Sequence, residues 1–376
     1  MPIAPERIVG PDLMDIYAKV AAGVRLTLED GVRLYEHPNL TGVGYMANIV
    51  RERLHGTNTY YVRNQHINYT NICNKFCKFC SFYAKKGGPD PYEYSIEEVR
   101  RRLNWHKDVE ITEVHMVGGI NPRLPYQYYL DLCGVVKEVF PHAHVKAFTA
   151  IEIEQIAKVG KVSIAQALRD LVEAGFEILS DRVHQELFGR KMGGEGWKEV
   201  AREASRIGLK QYATMLYGHI ETHEERANHL IQLRELQDET GHFLTFTPLS
   251  FHPEETELAD VKPQTGFTDL RNIAVARLML DNFDHIKSFW IMNTPEVTQA
   301  SLWYGADDTD GLVHEYEITY KEGDFGNKKQ ALTYRNMCRM IEEAGRIPIE
   351  RDSLYQEIKR EVQPESKRRL TPLPMG

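Results

Sequence analysis

Short apolar runs alternate with amphipathic ones along most of the chain. His66–Asn68, Glu113–Val117, Val145–Phe148, Gln211–Leu216, Phe243–Pro248 and Ile286–Met292 are the predicted strands. Runs of this length and character suit strands buried on both faces. Between them lie helical patterns with start signals. Ser95-Ile96-Glu97-Glu98, Ser163-Ile164-Ala165-Gln166 and Thr222-His223-Glu224-Glu225 read as capping boxes, in which the hydroxyl accepts from a backbone N–H while the Glu or Gln reaches back. Tyr129, Leu132, Cys133, Val136 and Phe140 share one helical stripe, and Tyr334, Met337, Cys338 and Ile341 share another.

Alternation of strand and helix implies parallel pairing through right-handed crossovers. The expected fold is α/β, a TIM-type (β/α) barrel over residues 61–310, with a doubly wound open sheet as the runner-up. Residues 1–60, helical in pattern as in Asp12–Ala22, form an N-terminal extension. Residues 311–376 add a strand at Tyr316–Tyr320, a helix near Lys328–Ala344 and a basic tail with Lys367, Arg368 and Arg369, expected to be mobile.

Composition narrows the function. The 376 residues are 42% hydrophobic and 27% charged, with a net charge of −8. That balance belongs to a globular chain. It argues against general nucleic-acid binding, which needs excess Lys and Arg. No apolar run approaches the ~18 residues of a membrane span. The start, Met1-Pro2-Ile3-Ala4-Pro5-Glu6, lacks a secretory pattern, so the expected location is cytoplasmic.

The five cysteines are Cys73, Cys77, Cys80, Cys133 and Cys338. The first three stand in a Cys-x3-Cys-x2-Cys loop just after the first predicted strand, where ligands gather in barrels and α/β sheets. A structural zinc site would want a fourth ligand, and no second Cys-x2-Cys arm exists. Cys133 and Cys338 sit on apolar helical stripes and read as core residues. Three buried free thiols would make an odd core beside Asn74, Lys75 and Lys78. A 4Fe–4S cluster held by three cysteines, with one iron open, is the third reading.

Cys73, Cys77 and Cys80, with Phe79 before the last, resemble the signature of the radical S-adenosylmethionine superfamily. Val117-Gly118-Gly119 at the end of the second predicted strand resembles that superfamily's glycine pair. The wider match is similar to the aminofutalosine synthases of the futalosine route to menaquinone. It rests on His66–Asn71, Met116–Pro122, Lys146–Ala150, Thr214–Thr222, Leu233–Glu239, Pro248–Pro253, Arg277–Asn282 and Gly305–Asp308. Cyclic dehypoxanthinylfutalosine synthases and deazaflavin ring synthases share the cysteine loop and the barrel. An iron–sulfur carrier or an inactive scaffold is the non-enzymatic alternative.

The resemblance implies a 4Fe–4S cluster on Cys73, Cys77 and Cys80, S-adenosylmethionine as co-substrate, and a barrel with the cluster loop after its first strand. It implies addition of the 5′-deoxyadenosyl radical to 3-[(1-carboxyvinyl)oxy]benzoate, giving 6-amino-6-deoxyfutalosine, methionine and carbon dioxide. An electron donor such as flavodoxin or ferredoxin is the implied partner. A substrate with two carboxylates needs cationic or donor groups, for which His66, His219 and His252 at strand ends are the candidates. Gly118 and Gly119 would approach the cofactor's methionine end. Thr214, like Asn68, Thr70 and Thr149, is a candidate donor, and Glu152 a candidate acceptor for ribose hydroxyls. Phe79 and Tyr83 would shield the cluster or pack on adenine. One departure is visible. These relatives carry Pro-Gly-Gly-Gly-Ala-Glu at the end of the fourth strand, whereas Glu173–Asp181 here runs almost directly into a helix. The expectation is a missing fourth strand and glycine turn, with Glu177 a candidate counterpart of the family glutamate.

Overall fold

The computed structural model describes residues 4–84, 90–180, 193–313 and 332–360. Four helices, α1 (Pro5–Val9), α2 (Met14–Ala22), α3 (Leu28–Glu36) and α4 (Leu40–His55), precede β1 (Asn58–Val62) and β2 (Asn64–Ile67). Then come α5 (Ile96–Trp105), β3 (Glu113–Met116), α6 (Tyr126–Val139), β4 (His144–Ala147), α7 (Ala150–Gly160), α8 (Ile164–Glu173) and β5 (Phe176–Ser180). The next elements are α9 (Gly194–Arg206), β6 (Lys210–Tyr217), α10 (His223–Thr240), β7 (Phe243–Ser250), α11 (Gly266–Met279) and β8 (His285–Ile286). Last are α12 (Trp290–Asn293), α13 (Pro295–Ser301), β9 (Asp308–Gly311), α14 (Tyr334–Glu343) and β10 (Ile347–Glu350).

Strands β2 to β8 lie side by side in chain order, all parallel. The two edges are joined through β9. Lys287, just past β8, bridges to Asp308, and β9 pairs with β1, which runs into β2 after the single residue Arg63. The Val313 N–H donates to the Asn64 side chain at 2.9 Å. The sheet is therefore a closed (β/α) barrel, as expected, and not an open doubly wound sheet. The outward faces of its strands, among them Val114, Met116, Val145, Ala147 and Phe246, are fully buried under the helices. No helix among the described residues is long and apolar enough to cross a membrane.

Two expectations need correcting. The fourth strand is present: β5 pairs with both β4 and β6. Its charged second residue, Glu177, broke the apolar pattern. That carboxylate turns outward, accepting from Lys137 Nζ on α6 at 2.9 Å and from the Val145 N–H at 3.0 Å, so it is no lumen glutamate. The segment from Asp181 to residue 192 lies outside the described residues. So do the strand predicted at Tyr316–Tyr320, the first residues of the helix at Lys328–Ala344, and the tail with Lys367, Arg368 and Arg369. Second, Ile286–Met292 is not one strand. Its strand ends at Ile286, Lys287 makes the bridge to β9, and the chain then turns into α12.

Helix starts follow the caps. Thr222 and Glu225 make both halves of a box ahead of α10. Ser95 and Ser163 accept from the Glu98 and Gln166 N–H, each at 3.1 Å. There the boxes stop at one half, because Glu98 turns to Arg101 and Arg102 and Gln166 to Asp170. The chain after β10 folds back beneath the barrel. Arg351, Ser353 and Tyr355 contact Asp308, Glu113 and His285 at the strands' N-terminal ends, sealing that mouth.

Candidate active site

The cysteine loop leaves β2 and is held from both sides. On one side the Thr70 hydroxyl and the Asn71 amide donate to the Tyr92 and Asp90 carbonyls, each at 2.8 Å. On the other, the Gly119 N–H donates to the Thr70 carbonyl at 2.7 Å and the Asn74 N–H to the Ile120 carbonyl at 3.1 Å. Asn68 Nδ2 donates to the Val117 carbonyl at 2.9 Å. The glycine pair allows this approach: a Cβ on Gly119 would stand 2.3 Å from the Ile72 carbonyl oxygen, and one on Gly118 would stand 2.7 Å from the Tyr69 ring. The absent side chains are thus required first by loop-on-turn packing. Cys73, Cys77 and Cys80 form no disulfide, and Cys77 is buried while the others are half-buried. Tyr83 lies close to all three. Burial, Glu257 and these sulfurs together push its phenol up. Phe79 is half-buried in the same loop.

Glu152 ties this assembly to the next strand end. One carboxylate oxygen accepts from the Tyr69 hydroxyl at 2.6 Å and the Gly118 N–H at 3.0 Å. The other accepts from the Thr149 N–H at 2.7 Å and its hydroxyl at 2.8 Å, closing a capping box on α7. Burial pushes this carboxyl above its usual range, against the pull of those donors. The expected role as acceptor for ribose hydroxyls finds a carboxylate with its acceptor positions already filled. Thr149 is likewise engaged in the cap.

Inside the barrel, strand alternation sends His66, Glu113, His115, Lys146, Tyr212, Thr214 and Lys287 into the lumen. His66 and His115 pair in register with their rings 4.7 Å apart, edge to face. Burial holds both neutral: His66 is lowered to about 4, and His115 falls well below its ordinary range, helped by Lys146. Lys146 meets Glu113 at 2.6 Å and Lys287 meets Asp310 at 2.9 Å. Thr214 is half-buried on β6, opposite Thr247. His219 and His252 lie higher, past the ends of the neighbouring strands β6 and β7, and the His219 ring meets Phe251 edge to face at 6.2 Å. His219 Nδ1 sits 2.7 Å from Glu221, whose carboxylate also takes Arg226 Nε at 2.7 Å. Against burial, His219 and Arg226 hold the Glu221 carboxyl down at about 2. His252 Nε2 is 3.0 Å from the Met292 carbonyl. His66 is thus deep in the lumen, and the other two histidines are at its rim.

Comparison with known proteins decides what this mouth belongs to. Residues 67–233 match the Radical SAM superfamily, and residues 240–364 match the CofH/MqnC C-terminal region. An aminodeoxyfutalosine synthase of Thermus thermophilus is 43% identical over 93% of this chain and 96% of its own. Another, from Streptomyces coelicolor, is 37% identical over 96% and 98%. The chain belongs to the aminodeoxyfutalosine synthase family of radical S-adenosylmethionine enzymes. A cyclic dehypoxanthine futalosine synthase of Halalkalibacterium halodurans is more distant, at 34% over 92% and 94%. The crystal structure of methylornithine synthase shares the fold at a TM-score of 0.72, with 17% identity over 89% of this chain and 97% of that one.

Radical S-adenosylmethionine enzymes use a 4Fe–4S cluster and S-adenosylmethionine. The donor set here suits them: three unbridged thiols in one loop match the soft ligands such a cluster takes. What sequence reasoning missed is the lumen. Glu113, His115, Lys146 and Lys287 sit within runs read as strands buried on both faces. The signal was there, since a charged residue inside such a run has to face a polar interior.

Proposed function

We propose that this chain carries out the aminodeoxyfutalosine synthase reaction of menaquinone biosynthesis, adding the 5′-deoxyadenosyl group of S-adenosylmethionine to 3-[(1-carboxyvinyl)oxy]benzoate. The products are 6-amino-6-deoxyfutalosine, methionine and carbon dioxide. The observation that carries this reading is 43% identity to such a synthase along nearly the whole chain. When bound, the cluster supplies the electron that opens the sulfonium of S-adenosylmethionine.

Each part of the chain then has a task. Cys73, Cys77 and Cys80 hold the cluster and Phe79 covers it. Gly118 and Gly119 present backbone to the methionine end of S-adenosylmethionine, and Glu152 fixes that turn in place. Thr214 is a donor on the lumen wall. His66, His219 and His252 orient the substrate so that its alkene lies within ~3–3.5 Å of the attacking carbon. Phe251, edge-on to the His219 ring, and Phe289, stacked on the His66 ring, hold those imidazoles in place. A small one-electron carrier such as flavodoxin or ferredoxin serves as the donor, in the cytoplasm.

The test is anaerobic turnover of the reconstituted protein with the enol ether, read by liquid chromatography with mass detection. The expected result is a coupled, decarboxylated adenine product with little free 5′-deoxyadenosine. Substituting Cys73, Cys77 or Cys80 by Ala abolishes iron binding, while Cys133→Ala does not. Dominant 5′-deoxyadenosine with authentic substrate would instead assign the chain to hydrogen-abstracting relatives.

A further inference from the structure

The lower lumen carries charges that cofactor chemistry does not use. Lys146 and Lys287 both approach the Tyr212 ring, each Nζ 4.9 Å from its centroid. Each ammonium has one carboxylate partner, Glu113 or Asp310, and beneath them Arg351 pairs with Asp308 at 2.6 Å. Three cations therefore face three carboxylates, and His66 and His115 add no charge. An ammonium has three donors, so one ion pair does not exhaust Lys146 or Lys287.

Lys146 and Lys287 are themselves buried, 3% and 2% exposed, and the open lumen reaches as far as His115 above them. His115 is half-buried on an inner strand, although its neighbours Val114 and Met116 are fully buried on the outward face. Its exposure is into the lumen. Thr214 and Leu216, on the lumen face of β6, are half-buried in the same way. The open space thus reaches down to His115, with Lys146 its registered neighbour on β4.

We propose that His115, Lys146 and Lys287 form the seat for the ring carboxylate of the aryl enol ether. The inference rests on the function proposed above and specifies how substrate lies. The two carboxylates of that substrate have different fates. The one beside the alkene leaves as carbon dioxide, and a buried ammonium pair would stabilise it in the ground state and oppose its loss. The ring carboxylate survives into product and can be held throughout. From His115 to Gly118 the chain advances three residues, a span of at most about 10 Å at ~3.3 Å each. That separation accommodates an aryl enol ether lying carboxylate-down, with its alkene toward the cysteine loop. The seat is also selective: a carboxylate can take the donors that each ammonium keeps beyond its own ion pair, which a ligand without one leaves unmet.

The experiment compares the authentic substrate with 2-phenoxyprop-2-enoate, which lacks only the ring carboxylate. The unmutated holoenzyme should prefer the authentic substrate by about 100-fold in kcat/KM. His115→Ala and Lys287→Met should each lose at least about tenfold of that preference, chiefly through KM, with iron content retained; His115→Ala should keep its thermal melting, whereas Lys287→Met should melt lower because it strands Asp310. Lys146→Arg, which keeps the charge, should retain most of it. Where Lys287→Met fails to fold because Asp310 is left unpaired, His115→Ala decides alone. Equal use of both compounds by the unmutated enzyme overturns the seat, as does a folded His115→Ala with full preference. If the unmutated enzyme converts neither compound, the functional reading fails instead.

Discussion

Burying a neutral histidine ties the stability of this fold to pH. His229 on α10 is 5% exposed, its Nε2 has no partner among the described residues, and burial lowers it to about 4. His66 is lowered as far, also chiefly by burial. In the unfolded chain both would titrate near 6.5. Between that value and about 4, the unfolded state binds protons that the folded state refuses. The contribution to stability is therefore intact above pH 6.5 and is lost as pH falls toward 4, by about 1.4 kcal/mol per pH unit for each group. His229→Leu should remove one such slope, because an apolar side chain at that buried site has nothing to protonate. Urea midpoints at pH 7, 6 and 5 would show it, and an unchanged acid slope would refute it. His229 lies within Leu230, Leu233 and Leu236 on its helix, and nothing in that pattern marks its charge state. Protonation behaviour depends on burial, which a sequence reports only indirectly.

Between elements, Glu152 does what no single helix or strand can. Its carboxylate gathers donors from the loop after β2, the turn after β3 and the start of α7. Glu152→Gln keeps the size but turns an acceptor into an –NH2 facing donors. We expect a loss of about 2–3 kcal/mol in stability, weaker retention of iron, and a raised KM for S-adenosylmethionine. Tyr69→Phe, which removes one bond of four, should cost about 1 kcal/mol. Wild-type melting and iron content in Glu152→Gln would show that the tie is dispensable. The elements themselves were largely legible. Five of the six strands predicted within the barrel lie within two residues of where they form, because buried parallel strands write short apolar runs. The cysteine loop was legible as chemistry because its spacing has few other uses. Thr149-x-x-Glu152 has the spacing of a capping box, yet it was read as chemistry because it follows a strand. Glu177 hid β5 by interrupting its apolar run. The lumen residues stayed hidden because alternation inside a barrel is visible only once it is known which face is interior.

At the scale of the whole molecule, the C-terminal segment completes the barrel it follows. β10 pairs with β1, and the chain then passes under the strand ends, where Tyr355 stacks on His285 at 3.6 Å and Ser353 Oγ donates to Glu113 at 2.7 Å. The Ser353 carbonyl accepts from the Tyr212 hydroxyl at 2.6 Å. Arg351 and Asp308 are fully buried and joined at 2.6 Å. Burial of such a pair carries a large desolvation penalty, so losing one partner is far worse than losing both. Arg351→Met leaves Asp308 charged in a dry interior and should cost about 3–5 kcal/mol. Arg351→Met with Asp308→Leu removes the orphaned charge and should recover most of that loss, a coupling that denaturant midpoints of the two singles and the double would measure. Function should follow the floor, not the stability. Glu113 is held ionised, against burial, by Lys146, Lys287 and Arg351 together, so removing Arg351 loosens the charge balance under the substrate. We therefore expect the double variant to regain its fold yet release more free 5′-deoxyadenosine per coupled product than the unmutated enzyme. A double variant as coupled as wild type would confine the plug to a structural role.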